Sequence, residues 1–482
     1  MFALFFCSLS LLVLDAPTAE GASHDRMTIE PALKHVRSGA DREWSDFPKS
    51  ADGARLEVTF KSRKNAREQS LIVRQQDVKQ GWQFALNGQK LGDLVRDEND
   101  MVVTFAVPAG SLVDGDNRLH IESPVSSNAA SDDIRVGQIA LVDCPVSDLL
   151  REAFLDVEVV EAGSNAPLPC RITVLDAQGA MQTLGVDSND HLAVRPGTAF
   201  SSNGRATLGV PAGHYKIFAG RGFEYSLDMV EVDVRAGETI KRKLSIRREV
   251  PTPGYVACDT HIHTLTHSGH GDATIEERMI TLAGEGIELP IATDHNKHID
   301  FEPTATRLGV RRYFTPVIGN EVTTPRGHFN IFPVRTDARI VDFKQSDWGL
   351  LMDDICSNPS VKAIILNHAR DLHGGVRPFG PEHFNALVGE NLDGWPMRFN
   401  AMEVINSGAT QTDPLQLLRD WIGLLNRGFE ITPVGSSDSH DVSRHFVGQG
   451  RTYIRCDDSD PAEIDVEAAM DSFVAGRVMV SY

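Results

Sequence analysis

Short alternations of apolar and polar residues fill the first half of the chain. Between residues 27 and 143 the runs LEVTF, DMVVTFAV, NRLHIE and RVGQIALV put an apolar side chain at every second position, and Gly, Asn and Asp turns such as VDGDN separate them. A period of two is how strands buried on one face read, so residues 27–150 are predicted to form a β-sandwich. The rhythm returns in FLDVEVVEA, CRITVLDAQG, RATLGVPAGHYKIFAGRG and VEVDVRAGETIKRKLSI, which predicts a second, smaller sandwich over 151–248. REVPTPGY then reads as a linker, because its prolines disfavour helix and extend the backbone. Past it the pattern changes. Strand-like runs such as VACDTHIH, ELPIATDHN, FTPVIGNEVTT, VKAIILNHAR and EITPVGSSDSH alternate with the amphipathic ATIEERMITLAGEG and DPLQLLRDWIGLLNRG. Such alternation predicts βα units around a mostly parallel sheet or barrel over 254–482.

The apolar run FALFFCSLSLLVL at the start is short for a bilayer and is followed by the small residues of APTAEGAS. Residues 1–22 are therefore read as a signal peptide, cleaved near Ala19 or Ala22, with a short uncleaved anchor as the competing reading. No later stretch reaches about 18 consecutive apolar residues, so no membrane span is expected after cleavage, and a periplasmic or extracellular location is. The chain has 482 residues, 41% of them apolar, which suits several packed domains rather than disorder. Lys plus Arg number 47 against 67 Asp plus Glu, and the net charge of −20 makes nucleic acid a poor partner. Five cysteines follow the signal segment, at irregular spacings that outline neither a disulfide framework nor a zinc finger.

Histidines change the picture most. Residues 251–482 hold 12 of the 17, and nearly every motif closes a strand-like run. His261 and His263 are two apart, as are Asp438 and His440, and residues i and i+2 of a strand face the same side. The SGH of His270, the TDH of Asp294 and His295, the GNE of Glu321, the GHF of His328 and the NH of His368 complete the set. Imidazoles with carboxylates suit Zn, Mn or Fe better than Ca or Mg.

In that order the motifs HIH, SGH, ATDHN, GNE, LNH and SSDSH resemble those of the polymerase and histidinol phosphatase (PHP) superfamily, in its branch of carbaryl- and carbofuran-hydrolase-like exported metallohydrolases. The resemblance covers nearly all of 254–482 and none of the N-terminal half. It implies a distorted, TIM-like (β/α)7 barrel whose mouth holds two or three divalent ions, and the ligands His261, His263, His270, His295, Glu321, His328, His368, Asp438 and His440, with Glu321 bridging two ions. HIHTLTHSGHG departs from the family's HxHTxxSDG, so either His270 or His267 takes the place of the Asp. ARDLHGG at 369–375 replaces a Pro-Gly turn and is expected to shape the substrate pocket. More softly, the end of the first sandwich resembles galactose-binding-like jelly rolls. The second resembles carboxypeptidase-regulatory modules and is read as Ig-like or prealbumin-like.

The fold class expected is thus two all-β sandwiches ahead of a PHP-type barrel. Ions a few Å apart lower the pKa of a shared water and offset charge on a scissile group. This predicts an exported hydrolase acting through a metal-activated hydroxide, on a phosphoester first and on a carbamate, ester or amide as the alternative. The substrate would be a small-molecule or cell-surface ester. A carbohydrate-binding surface protein with an inactive barrel is a reading of another class, and Trp44 or Trp82 could stack on a sugar, although a Trp there reads first as core. Catalytic candidates are Asp294, Arg370, Arg444 and Glu403, with Asn406 beside Glu403, Asp259 and Asp294 as supports for imidazoles, and His298, His373 and His445 as general acids.

Overall fold

The computed structural model describes residues 24–124, 131–372, 377–409, 413 and 415–482; residues 1–22, read above as a signal peptide, and His373 lie outside them. In the first unit Arg26–Ser38, Asp132–Val142, Gln69–Gln76 and Met101–Val107 pair antiparallel in one sheet. Arg55–Ser62, Gly115–Glu122, Gln83–Leu86 and Gln89–Asp93 make a second sheet. The alternating side chains fill the space between them, with Leu71, Val73, Phe84, Leu119, Ile121 and Ile134 fully buried. Trp82 is in that core, its indole N–H donating to Asp132 Oδ2 at 2.8 Å, while Trp44 is exposed.

The second unit has its own core around Leu155, Ile172, Leu208 and Ile217. Its strand Met181–Gln182 pairs parallel with Met101–Val107, so the main sheets of the two units are continuous. His214 sits in the strand Gly213–Gly220 at 3.0 Å from Asp233, as a paired sheet histidine.

Residues 254–482 do not close into the (β/α)7, TIM-like barrel expected from the sequence. They build two five-stranded mixed sheets: Val317–Ile318, Leu289–Ala292, Tyr255–Ile262, Arg451–Arg455 and Val478–Ser481; and Asn320–Thr324, Gly327–Phe332, Ala363–Leu366, Ala401–Asn406 and Thr432–Ser436. Among the described residues no strand ladder joins them; isolated bridges link Ile262 with Ser439 and His295 with Glu321. The described molecule is mostly β, with seven short helices. The reason lies in the connections. TTPRG turns the chain back on itself, so Asn320–Thr324 and Gly327–Phe332 form a hairpin rather than a βα unit. Between Ala363–Leu366 and Ala401–Asn406 the described residues hold a small hairpin where a barrel would have a helix. The junction of the two sheets is where the candidate ligands meet. Among the described residues no helix is long and apolar enough to cross a membrane.

Candidate metal centre

Tyr255–Ile262 carries His261 just before its end and His263 follows it directly, a buried pair two residues apart that faces one side of the junction. His261 Nε2 lies 3.2 Å from Glu321 Oε1 and 3.2 Å from Asp438 Oδ1, and His263 Nε2 lies 3.3 Å from Asp438 Oδ1. Neither buried Nε2 makes a hydrogen bond. Buried polar atoms without partners are costly unless something outside the chain satisfies them. Separations of 3.2–3.3 Å are close to the roughly 3.4 Å edge of a tetrahedron with bonds of about 2.1 Å. Three overlapping groups, His263/His295/His440, His261/His263/Asp438 and His261/Glu321/His368, each hold their ligand atoms within 4.8 Å of one another. The donor set therefore fits divalent ions.

Glu321 is the hub. Its Oε1 faces His328 Nδ1 at 3.0 Å and His368 Nε2 at 3.4 Å, and its Oε2 faces His295 Nδ1 at 2.5 Å. His295 Nε2 in turn faces His270 Nε2 at 3.4 Å and His440 Nε2 at 3.5 Å. The structure thus gathers all nine sequence-predicted ligands. His328 and His270 stand outside the three tight groups, His270 exposed at the rim. His267, the alternative to His270, does not line the cavity.

Burial pushes His263 well below the ordinary imidazole range, helped by His440; burial, with His270 and His295, takes His440 down to about 4. Both are neutral imidazoles with lone pairs to offer. Burial disfavours ionised Glu321 and Asp438, but the surrounding histidines outweigh it and hold both carboxyls well below their usual range. His368 and Asp438 adopt φ of +23° and +52°, where non-glycine residues are strained by on the order of 1 kcal/mol, an outlier shared by two ligand positions.

Polar side chains behind the ligands orient them. Glu403, fully buried, meets His261 Nδ1 at 2.7 Å and accepts from Ser436 Oγ, the His368 backbone N–H and Asn406 Nδ2. Asp294 accepts from Ser268 Oγ at 2.6 Å, and Ser268 Oγ lies 3.2 Å from His263 Nδ1. Thr323 Oγ1 is 2.8 Å from His295 Nδ1. Glu403 and Asp294, named as catalytic candidates, therefore stand behind the imidazoles and are absent from the cavity lining. Asp259 does not touch an imidazole; it accepts from the backbone amides of His261, Ser437 and Gly448. Arg370 is also away from the cavity, its guanidinium forked onto buried Asp420. Arg444 does line it, but is paired with Glu98 of the first unit. His445 lines the cavity and His298 does not. Ser268, Thr323 and Ser436 escaped the sequence reading, since single hydroxyl residues carry no spacing signal.

The cavity over the candidate ligands measures about 730 Å³ and its wall is shared by all three units: residues 94–97 of the first, Arg195 and Pro196 of the second, and the C-terminal unit, which carries the candidate metal centre. No family model and no curated protein matches the chain. Among solved structures it is similar to BcpA, the major pilin subunit of Bacillus cereus, at 11% identity and a TM-score of 0.16, over 46% of this chain and 71% of that one. It is also similar to a Bifidobacterium dentium β-glucuronidase at 13% identity and a TM-score of 0.20, over 64% and 62%. The minor pilin GBS52 of Streptococcus agalactiae shares 11% identity at a TM-score of 0.19, over 46% and 98%. Scores this low carry no argument about fold or activity.

Proposed function

We infer that the protein is an exported metal-dependent hydrolase whose preferred substrate is a phosphoester. The observation that carries this reading is the convergence of nine imidazole and carboxylate side chains at one junction, seven of them lining the cavity, with His261 Nε2 and His263 Nε2 buried beneath it and making no hydrogen bond. The motif resemblance to the PHP superfamily supports it through the ligand set, without a closed barrel. Export rests on the apolar run at 2–14.

His261, His263, His270, His295, Glu321, His328, His368, Asp438 and His440 would hold two or three Mn, Zn or Fe ions. Such ions supply Lewis acidity for activating water and for offsetting charge on a scissile ester. The chain's own residues do the positioning. Glu403 fixes His261 through Nδ1, and the Asp294–Ser268 pair fixes His263, so each presents Nε2 to the centre. Glu321 and Asp438 stay ionised among their histidines and supply the negative charge that a divalent cation requires. His445, which lines the cavity wall, is the general-acid candidate that a substrate in the cavity can reach.

The test is elemental analysis of the purified protein together with hydrolysis of bis-p-nitrophenyl phosphate, p-nitrophenyl phosphate and a naphthyl carbamate by wild type and His261→Ala/His263→Ala. Two or more ions per chain, and activity lost in the double variant, are the expected result. Faster turnover of the carbamate would move the scissile bond to that class. A metal-free protein that stays inert after Mn or Zn is added would sink the reading.

A further inference from the structure

Three arginines line the cavity above the metal centre, and their partners differ. Arg195 is held by Asp272 at 2.9 Å and Glu277 at 2.9 Å, and Arg444 by Glu98 at 2.6 Å. Their charge is already matched within the protein. Arg96 makes no ion pair among the described residues. Its side chain donates once, from Nε to the Lys79 carbonyl at 3.1 Å, which leaves both terminal nitrogens without a protein acceptor.

An exposed arginine is usually just solvated, so the backbone that delivers this one matters. Leu94 N donates to Trp82 O at 2.8 Å, and Val95 N to Gln75 Oε1 at 3.0 Å. Val78 N donates to Asp97 O at 3.0 Å, and the Asp97 carboxylate accepts from Asn99 N. The segment is pinned on both sides of Arg96, to buried Trp82, Gln75 and Val78 of the first sandwich. A guanidinium on a fixed stem loses less freedom when it closes on a ligand than one on a mobile loop. The wall around it also carries Asp97 and Asp441, in a protein of net charge −20. An anionic ligand approaching the centre in a protein of this net charge gains most at a cation that no carboxylate already matches.

We propose that Arg96 is a specificity residue: it binds an oxyanion, carboxylate or phosphate, that the substrate carries away from its scissile bond. The preferred substrate is then an ester with a second negative charge, and the first sandwich is part of the substrate site. The two terminal nitrogens form one planar N–H edge that matches either oxyanion in a bidentate manner. The proposal rests on the hydrolase reading for the word substrate, but the oxyanion site itself is testable without turnover.

Calorimetric titration of the full chain with Mn²⁺ would compare ethylphosphonate, phosphonopropionate, a longer phosphonocarboxylate and an alkyl bisphosphonate, for wild type, Arg96→Ala and Arg96→Lys. The second oxyanion should tighten wild-type binding about tenfold or more, equal to about 1.4 kcal/mol. In Arg96→Ala the ratio of affinities should fall close to one, and Arg96→Lys should keep part of it. The better of the carboxylate and phosphonate tails identifies the oxyanion. Equal binding of all probes by wild type, or the same ratio in wild type and Arg96→Ala, overturns the proposal. Hydrolysis of ethyl p-nitrophenyl phosphate and its carboxyethyl counterpart separates the two readings. Cleavage of both without charge preference defeats the Arg96 site alone, and a calorimetric preference without any cleavage defeats the hydrolase alone.

Discussion

Glu403 shows how much of the centre depends on a residue that reaches no cavity. One carboxylate, fully buried, takes His261 Nδ1 and Ser436 Oγ on Oε1, and the His368 amide and Asn406 Nδ2 on Oε2. Burial alone would raise its pKa, but His261 and His368 outweigh that and hold it below the usual range. In Glu403→Gln an amide NH₂ must face one of those two donor pairs. We predict that metal affinity, read by competition with a chromophoric chelator, falls about ten- to a hundredfold and that stability drops by about 1–3 kcal/mol. Unchanged affinity would remove Glu403 from the support of the site. At this scale most of the ligands were legible because they close strand-like runs, and HxH or DxH spacing says which side chains share a face; His328, near the start of Gly327–Phe332, and His270, after the short helix Leu265–Ser268, are the exceptions. The supporting hydroxyls and the partner of Arg370 were not. Asp420, which claims that guanidinium, lies on the helix Gln416–Asn426 far along the chain, and no local pattern links the two.

Individual strands and helices were legible by period, but the choice of neighbour was not. Gly327–Phe332 reads as a strand either way; the turn TTPRG decides that it folds back antiparallel onto Asn320–Thr324, and it pairs antiparallel with Ala363–Leu366 as well, while Arg451–Arg455 runs antiparallel to both Tyr255–Ile262 and Val478–Ser481, so the sheets depart from an all-parallel barrel at several places. The strand Leu289–Ala292 carries a testable consequence of its packing. Just before it, Glu288 accepts from the Ala257 backbone N–H at 2.8 Å while its own N–H donates to Ala257 O at 2.8 Å, tying the strand to Tyr255–Ile262. Burial, reinforced by Glu224 and Asp458, raises its carboxyl from 4.5 to about 7. The folded protein thus holds this proton more tightly than the unfolded chain. The stabilisation is fully present below about pH 4.5 and is lost as the pH rises through about 7. At about 1.4 kcal/mol per pH unit the loss is at most about 3 kcal/mol. Glu288→Gln still accepts from Ala257 and carries no charge. Its stability relative to wild type in urea denaturation should therefore rise between pH 5 and pH 8, by on the order of 1–3 kcal/mol. A difference that does not change with pH would show that Glu288 does not titrate there.

For the molecule as a whole, the sequence marks three units but not the surfaces where they meet, because interface side chains read like any other core. The second sandwich rests on the helix Ile275–Glu285 of the metal unit. Phe200 and Ala193 pack against Ile280, Ala273 and Val442, and Gly284 permits the approach, since a Cβ there would lie 2.7 Å from Phe200 Cδ1. Arg195 crosses the same boundary to Asp272 and Glu277, and Arg221 donates to the Ala283 carbonyl at 3.1 Å. That helix also shares a buried arginine with the ligand loops, as Arg278 donates to the carbonyls of His263 and Ser439. Metal binding on one side should therefore be felt on the other. A ligand at a hundredfold excess over its Kd stabilises the unit it binds by about 2.7 kcal/mol, and in the wild type this gain should move the melting of the second sandwich and the metal unit together. Phe200→Ala removes about 3–5 kcal/mol of packing from the boundary and leaves each unit's own core in place. In differential scanning calorimetry with and without Mn²⁺ or Zn²⁺, the variant should show the sandwich melting at a temperature indifferent to metal while the metal unit still shifts upward. If both still respond to metal in step, as in the wild type, the coupling does not run through Phe200, and the polar contacts of Arg195 and Arg221 must carry it.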